Sequence, residues 1–259
     1  MSAAARWGDL GPRLASGVAM AAVGLGAIWA GGPVFAALVV LLSGLLMWEA
    51  ARLFGATDAW RAGVVGAAAV ALGLWLPGIF VLPLLAAAVL VAAGSIARAR
   101  GPFAALALWA LTGAWVMGVL RAEAGLIWVL WLVAIVVVSD VAGYFAGRML
   151  GGPKFWPRIS PKKTWSGTVA GWIGAAIVGA LLAGPTGAGA LLVPLSVLVG
   201  FAGQMGDIAE SAAKRMQGVK DSSNLIPGHG GVLDRFDAML GAALMAGLLR
   251  ALGVLPGVA

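Results

Sequence analysis

The chain has 259 residues, of which 62% are hydrophobic and 10% charged, with a mean hydropathy of +1.01 and a net charge of +7. By length alone it could form one or two soluble domains, but long runs almost free of charge from Arg13 onward exclude that. There is no cysteine, hence no disulfide and no thiolate metal site. The positive balance belongs with cytoplasmic loops beside anionic headgroups and does not call for a nucleic-acid partner.

After a short polar lead, Met1–Pro12, the chain reads as a succession of apolar runs. The first, Arg13 to Ala30, has Arg6 before it and Arg13 at its head, in the manner of a signal peptide. Similar runs follow at once, so it reads as a retained first span. The others fall at about 34–54, 62–76, 79–97, 103–121, 125–148, 165–184, 187–213 and 233–253. They are of helix length and lack strand alternation, and only helices or closed barrels satisfy their backbone in lipid. The expected fold is an all-α polytopic transmembrane helix bundle of about nine spans. Forty glycines suit close helix packing in lipid. Trp7, Trp60, Trp156 and Trp165 stand near expected span ends, as in an aromatic belt.

Charge placement orients this bundle. Arg6 with Arg13, Arg52 with Arg61, Arg98 with Arg100, Arg148 to Lys163, and Lys214 to Lys220 all fall on one side of a nine-span arrangement. Connections near Gly32, Gly78 and Pro185 carry no charge, and Arg121 with Glu123 marks the remaining one. The bias places the N-terminus and the charged loops in the cytoplasm and the C-terminus outside, as in a bacterial inner membrane.

The two halves differ in chemistry. Residues 1–138 contain no lysine, and their acids are Asp9, Glu49, Asp58 and Glu123. This half reads as scaffold and lipid-facing wall. Glu49 reads as a snorkelling interfacial residue in preference to a polar contact within the bundle. Residues 139–259 read as the catalytic region.

That region opens with Asp140, Tyr144 and Arg148 at i, i+4 and i+8 on one helix face, beside Ser139, Gly143 and Gly147. An ionisable residue just after WVLWLVAIVVV is costly in lipid and should face the bundle interior or water. A structural contact of Asp140 with Arg148 or Tyr144 is the alternative. The connection GGPKFWPRISPKKTWSG follows, kept from being helical by Pro153, Pro157 and Pro161. Its free N–H groups could meet phosphate oxygens. Alone it would read as a headgroup-facing basic loop. Lys162 and Lys163 beside Ser160 and Thr164 also suit a triphosphate.

The densest polar stretch runs from Gln204 to Asp237, QMGDIAESAAKRMQGVKDSSNLIPGHGGVLDRFD. Asp207, Glu210, Ser211 and Lys214 share a helix face at i, i+3, i+4 and i+7. Gly218, Ser222, Ser223, Asn224, Pro227 and Gly228 then signal a loop. It closes on His229, the only histidine, with Gly230 and Gly231, where the backbone can approach a ligand or adopt positive φ. Asp234 and Asp237 sit one turn apart at the start of the next helix. Carboxylates on two helices, with lysines and a glycine-rich loop between, suit a divalent cation and a polyphosphate.

Ser211 to Asp237 resembles the signature of the phosphatidate cytidylyltransferase (CDP-diacylglycerol synthase) family. The shared pattern is Ser-x-x-Lys-Arg, Lys-Asp, Pro-x-His-Gly-Gly and Asp-Arg-x-Asp, with the family's spacing. Ser160-Pro161-Lys162-Lys163-Thr164 matches a second family element. Ser139-Asp140 with Tyr144, Gly147 and Arg148 matches a third, with Gly143 in an alanine position. Ser166 replaces an acid that the family usually carries.

The resemblance implies transfer of CMP from CTP to phosphatidic acid with Mg²⁺, a possible neighbouring K⁺ and a homodimer. Asp207 and Asp234 would then hold Mg²⁺. Lys162, Lys163, Lys214 and Lys220 would hold triphosphate or lipid phosphate, with hydrogen bonds from Ser160 and Thr164. His229, Gly230 and Gly231 would shape the nucleotide loop, and Asp140, Asp221 and Asp237 would be outer or additional ligands. Arg215 and Arg235 would bind phosphate or pair with neighbouring acids. Two rivals are a CTP-dependent lipid kinase, disfavoured by the full signature, and a transporter. A transporter would place polar groups near the midplane in both halves, whereas here they gather at one face of one half.

Overall fold

The computed structural model of the protein describes residues 10–255. Arg6 and Trp7 lie outside these residues, as does the side chain of Arg13. Nine α-helices appear among the described residues, in register with the nine apolar runs. They are α1 (Leu10–Ala30), α2 (Gly32–Leu53), α3 (Ala59–Gly73), α4 (Gly78–Ala93), α5 (Arg100–Val119), α6 (Leu126–Leu150), α7 (Trp165–Leu182), α8 (Leu192–Met216) and α9 (Leu233–Ala251). A π-helical turn, Leu120–Ala124, extends α5, and a 3₁₀ turn, Gly189–Leu191, leads into α8. The segments Arg100–Ala124 and Gly189–Met216, with α2, α6 and α7, are the five long and apolar enough to cross a membrane. Leu14–Ala30, α3 and α4 are apolar but shorter. A 15-residue helix such as α3 rises only about 22 Å against a hydrocarbon core of about 30 Å.

The chain divides into two compact units. One runs to Leu111 and takes up Met216–Phe236; the other holds Thr112–Arg215 and the chain from Asp237. The loop after α8 therefore belongs with the N-terminal helices, not with the residues that flank it in sequence.

In the first unit α2 packs on α3, and α3 on α4. Contact is close because small residues face each other: a Cβ on Gly63 would lie 2.9 Å from the Gly44 carbonyl. Leu46, Met47, Val70, Val81 and Leu85 fill the core at 1% exposure or less. Phe54 and Phe103 meet edge to face with centroids 6.0 Å apart.

In the second unit α6 and α7 make the tightest seam. A Cβ on Gly167 would lie 2.6 Å from the Gly143 carbonyl, and one on Gly179 would lie 2.6 Å from Ser196 Oγ of α8. Trp131 is fully buried and spends its indole N–H on Ser196 Oγ at 2.8 Å, as a buried indole must.

The connection from α6 to α7 is non-helical as its prolines require, yet it is more ordered than an open loop. Lys154–Trp156 (β1) pairs antiparallel with Ser160–Thr164 (β2), with a register irregularity between Lys154 and Trp156. Pro161 is tolerated because both strands of a two-stranded ribbon are edges. Thr164 then caps α7, its Oγ1 accepting from Gly167 N at 3.2 Å. Ser166, the departure from the family pattern, donates to the Gly151 carbonyl at 2.5 Å and so ties the start of α7 to the end of α6.

Candidate active site

A cleft of about 600 Å³ opens in the second unit between α6, β2, α7 and α8. Asp140, Tyr144 and Arg148 line it from α6, Ser160, Lys162, Lys163 and Thr164 from β2, and Gln204 and Asp207 from α8. Gly143, Gly147 and Gly167 form part of the wall, so the α6–α7 seam leaves room for a ligand as well as bringing backbones together. The shared face expected for Asp140, Tyr144 and Arg148 is present. The contact within it runs from Arg148 Nη1 to the Tyr144 hydroxyl at 3.0 Å.

Lys163 is the centre of the cleft's electrostatics. Its Nζ lies 2.5 Å from Asp207 Oδ2 and donates to the Gln204 carbonyl at 3.1 Å. Gln204 is itself immobilised: its Oε1 accepts from Trp172 Nε1 at 3.0 Å, and its Nε2 donates to Ser139 Oγ and the Thr168 carbonyl, both at 3.2 Å. A buried amide with each of these hydrogen bonds made fixes the turn of α8 that presents Asp207. Gln204 had no role in the sequence reading, although a lone amide at the end of LLVPLSVLVGFAG was a signal.

One turn further on, α8 carries Glu210, whose side chain is 0% exposed and pairs with Lys214 Nζ at 2.6 Å. Asp207, Glu210 and Asp237 of α9 each direct a carboxylate oxygen to within 4.8 Å of the others. Three acids so close repel strongly unless cations offset them. The helix face read from Asp207, Glu210, Ser211 and Lys214 is therefore real, and Ser211 Oγ reaches Asp207 Oδ1 at 3.4 Å. Arg215 follows, exposed, at the end of α8.

The remaining expected residues lie in the first unit. Ile226-Pro227-Gly228-His229 forms a tight turn closed by His229 N donating to the Ile226 carbonyl at 2.9 Å, with Gly228 at φ 74°. His229 turns toward α1, its Nδ1 2.9 Å from Ser16 Oγ. Asp234 Oδ2 accepts from Ser222 N at 2.9 Å, Ser222 Oγ at 2.9 Å and Gly231 N at 2.7 Å. It thus knots the two ends of the loop together. Gly230, at φ 83°, would bring a Cβ 2.9 Å from the same oxygen, so the glycines admit the protein's own carboxylates. Lys220 and Asp221 are exposed. Arg235 is exposed too, its Nε donating to the His229 carbonyl at 2.9 Å.

Glu49 does not snorkel to solvent. It is 0% exposed in α2. Its Oε1 accepts from Ser223 Oγ at 2.5 Å and Val232 N at 2.9 Å; its Oε2 accepts from Ser222 Oγ at 3.2 Å and Leu233 N at 2.6 Å. The snorkelling reading is corrected. Ser223 Oγ and the Val232 and Leu233 N–H groups, with the Ser222 hydroxyl shared with Asp234, solvate the carboxylate from more than 170 residues away, and no sequence periodicity could announce them.

The sequence profile of the Cytidylyltransferase family matches residues 12–252, nearly the whole chain. The chain belongs to this family. Relatives named phosphatidate cytidylyltransferase include one from Brucella suis biovar 1 (strain 1330), 47% identical over 135 residues, which are 50% of this chain and 49% of that protein. One from Helicobacter pylori (strain ATCC 700392 / 26695) is 41% identical over 122 residues, 46% of each chain. One from Staphylococcus saprophyticus is 41% identical over 119 residues, 45% of this chain and 46% of that protein. The chain spans about half the length of these curated relatives in the matched region.

Proposed function

We propose that the protein is a phosphatidate cytidylyltransferase, joining the CMP unit of CTP to phosphatidic acid and releasing pyrophosphate. The observation that carries the reading is Lys163 held against Asp207 in a cleft with Lys162, Arg148 and hydroxyls, in a member of the cytidylyltransferase family. A phosphate oxygen of the lipid bonds to the α-phosphorus of CTP. The bond from that phosphorus to the α,β-bridging oxygen breaks, and pyrophosphate leaves with both electrons. The nucleophile is already an anion, so the site needs charge neutralisation and in-line alignment more than a strong base.

In this reading Lys162 and Lys163 neutralise the triphosphate, and Ser160 and Thr164 add hydrogen bonds. Lys214 and Lys220 serve triphosphate or lipid phosphate. His229, Gly230 and Gly231 shape the nucleotide loop, while Asp140 and Asp221 make outer contacts. The clustering of Asp207, Glu210 and Asp237 suits a hard divalent cation such as Mg²⁺, which prefers oxygen donors. When bound, such an ion would offset phosphate charge during transfer. Asp207 and Asp237 are the proposed ligands, with Glu210 beside them. Asp234, with three donors on Oδ2, is better matched to holding the loop. A potassium ion and a homodimer belong to the same reading through the family resemblance.

The test is the fate of label. Purified protein with Mg²⁺, phosphatidic acid and CTP should move α-label into the lipid and release γ-label as pyrophosphate. Diacylglycerol in place of phosphatidic acid should give nothing. Label from the γ-phosphate in an organic-soluble product would instead identify a CTP-dependent lipid kinase, and no transfer at all would favour a transporter.

The proposal includes about nine crossings of a bacterial inner membrane with the cleft on the cytoplasmic side, supported by the basic residues gathered in alternate connections. Single cysteines can check this, since none is native. Lys154, Asn224 and Pro185 are exposed positions. An impermeant thiol reagent outside intact cells should label Pro185→Cys alone. Labelling of Asn224→Cys from outside would refute the orientation.

A further inference from the structure

Glu49 is a buried acid in the half of the chain with no assigned chemistry, and its surroundings explain why it tolerates burial. Among the described residues it forms no ion pair. Its charge is met by the Val232 and Leu233 N–H groups, at the N-terminal end of α9, and by the hydroxyls of Ser222 and Ser223. A helix N-terminus favours a carboxylate through its unpaired N–H groups and its dipole. The approach is close enough to demand glycine next door. A Cβ on Gly231 would lie 2.6 Å from Glu49 Oε1 and 2.8 Å from Oε2.

Ser222 links this contact to the knot at Asp234. Its hydroxyl lies 3.2 Å from Glu49 Oε2 and 2.9 Å from Asp234 Oδ2. Having one proton, it donates to one carboxylate at a time. The two acids therefore grip one short segment from two sides. That segment directly follows Lys220 and Asp221, and it closes on His229, Gly230 and Gly231. Leu233, whose N–H is held, lies one turn before Asp237 on α9.

We propose that Glu49 is a positioning residue: a buried anchor on α2 that holds the Ser222–Leu233 loop and the first turn of α9 in their working conformation. The anchor stands on the contacts themselves, and its consequence for catalysis rests on the cytidylyltransferase reading. Glu49→Gln is the informative change because it keeps shape and volume. Each carboxylate oxygen accepts one backbone N–H, so in either orientation the amide NH₂ must face a donor that cannot rotate away.

Two single-cysteine reporters read the effect without any turnover assay. Val232→Cys reports the loop, and Val199→Cys, fully buried in α8, reports general unfolding. Glu49→Gln in the full-length protein in detergent should speed maleimide labelling of Val232→Cys about tenfold or more through local opening, with Val199→Cys unchanged. Unchanged labelling at Val232→Cys, or equal acceleration at both, would overturn the anchor. In the cysteine-free protein, Glu49→Gln should raise KM for CTP about tenfold with a smaller change in KM for phosphatidate, as loss of preorganisation does. Wild-type kinetics in a variant with a loosened loop would overturn the positioning role. A wild-type protein that transfers no CMP would remove the catalytic reading and leave the labelling result to decide the anchor.

Discussion

Asp207→Asn should lower turnover by roughly 10²- to 10³-fold, on the scale of losing one preorganised electrostatic contact, while the protein remains folded. Among the described residues, Asp207 is the one carboxylate that belongs both to the cleft and to the acidic cluster. Its replacement by an amide removes a hard anionic ligand and also releases Lys163, now 2.5 Å from Oδ2. The fold should survive because the same change relieves repulsion with Glu210 and Asp237. Mn²⁺ binding followed by electron paramagnetic resonance provides a readout independent of turnover. Asp207→Asn and Asp237→Asn should each weaken it, whereas Asp234→Asn should leave it nearly intact and disturb the loop. Wild-type Mn²⁺ affinity in Asp207→Asn would remove that residue from the metal site, and loss of affinity in Asp234→Asn would return Asp234 to it.

Lys163→Ala should reduce kcat/KM for CTP by roughly 10²- to 10³-fold, the range for removing one donor aimed at developing charge. Its ammonium is oriented by the Gln204 carbonyl and Asp207 rather than left to wave in solvent. The loss should therefore include kcat and not only KM. Lys163→Arg should recover part of it, since the charge returns but a planar fork cannot sit where a compact ammonium did. Steady-state kinetics with each substrate varied in turn checks the assignment. An effect confined to KM for phosphatidate would move Lys163 to the lipid phosphate.

Much of this was written along the chain. The nine helices follow from apolar runs, because a segment without charge must satisfy its own backbone in lipid. The face of Asp207, Glu210, Ser211 and Lys214 follows from helical spacing, and the turn at Pro227-Gly228 from the φ that each residue prefers. Thr164 at the start of α7 is likewise a local matter of capping. The ribbon of β1 and β2 was not legible, since three prolines argue against helix without specifying which short strands pair.

Residue order by itself determined the class of protein, the run of helices, the side-chain inventory and the family pattern, all of which depend on neighbours in sequence. Only the tertiary structure decided how those side chains are spent. Asp234 and Asp237 are three residues apart, yet the first binds N–H groups of the loop and the second joins Asp207 and Glu210. Glu49 looked like a snorkelling residue until the distant Ser222–Leu233 segment supplied its donors. Gln204 looked unremarkable until Trp172, Ser139 and Thr168 enclosed it. The physical reason is common to all three. A buried polar group takes its role from the partners that solvate it in place of water, and those partners arrive from elsewhere in the chain.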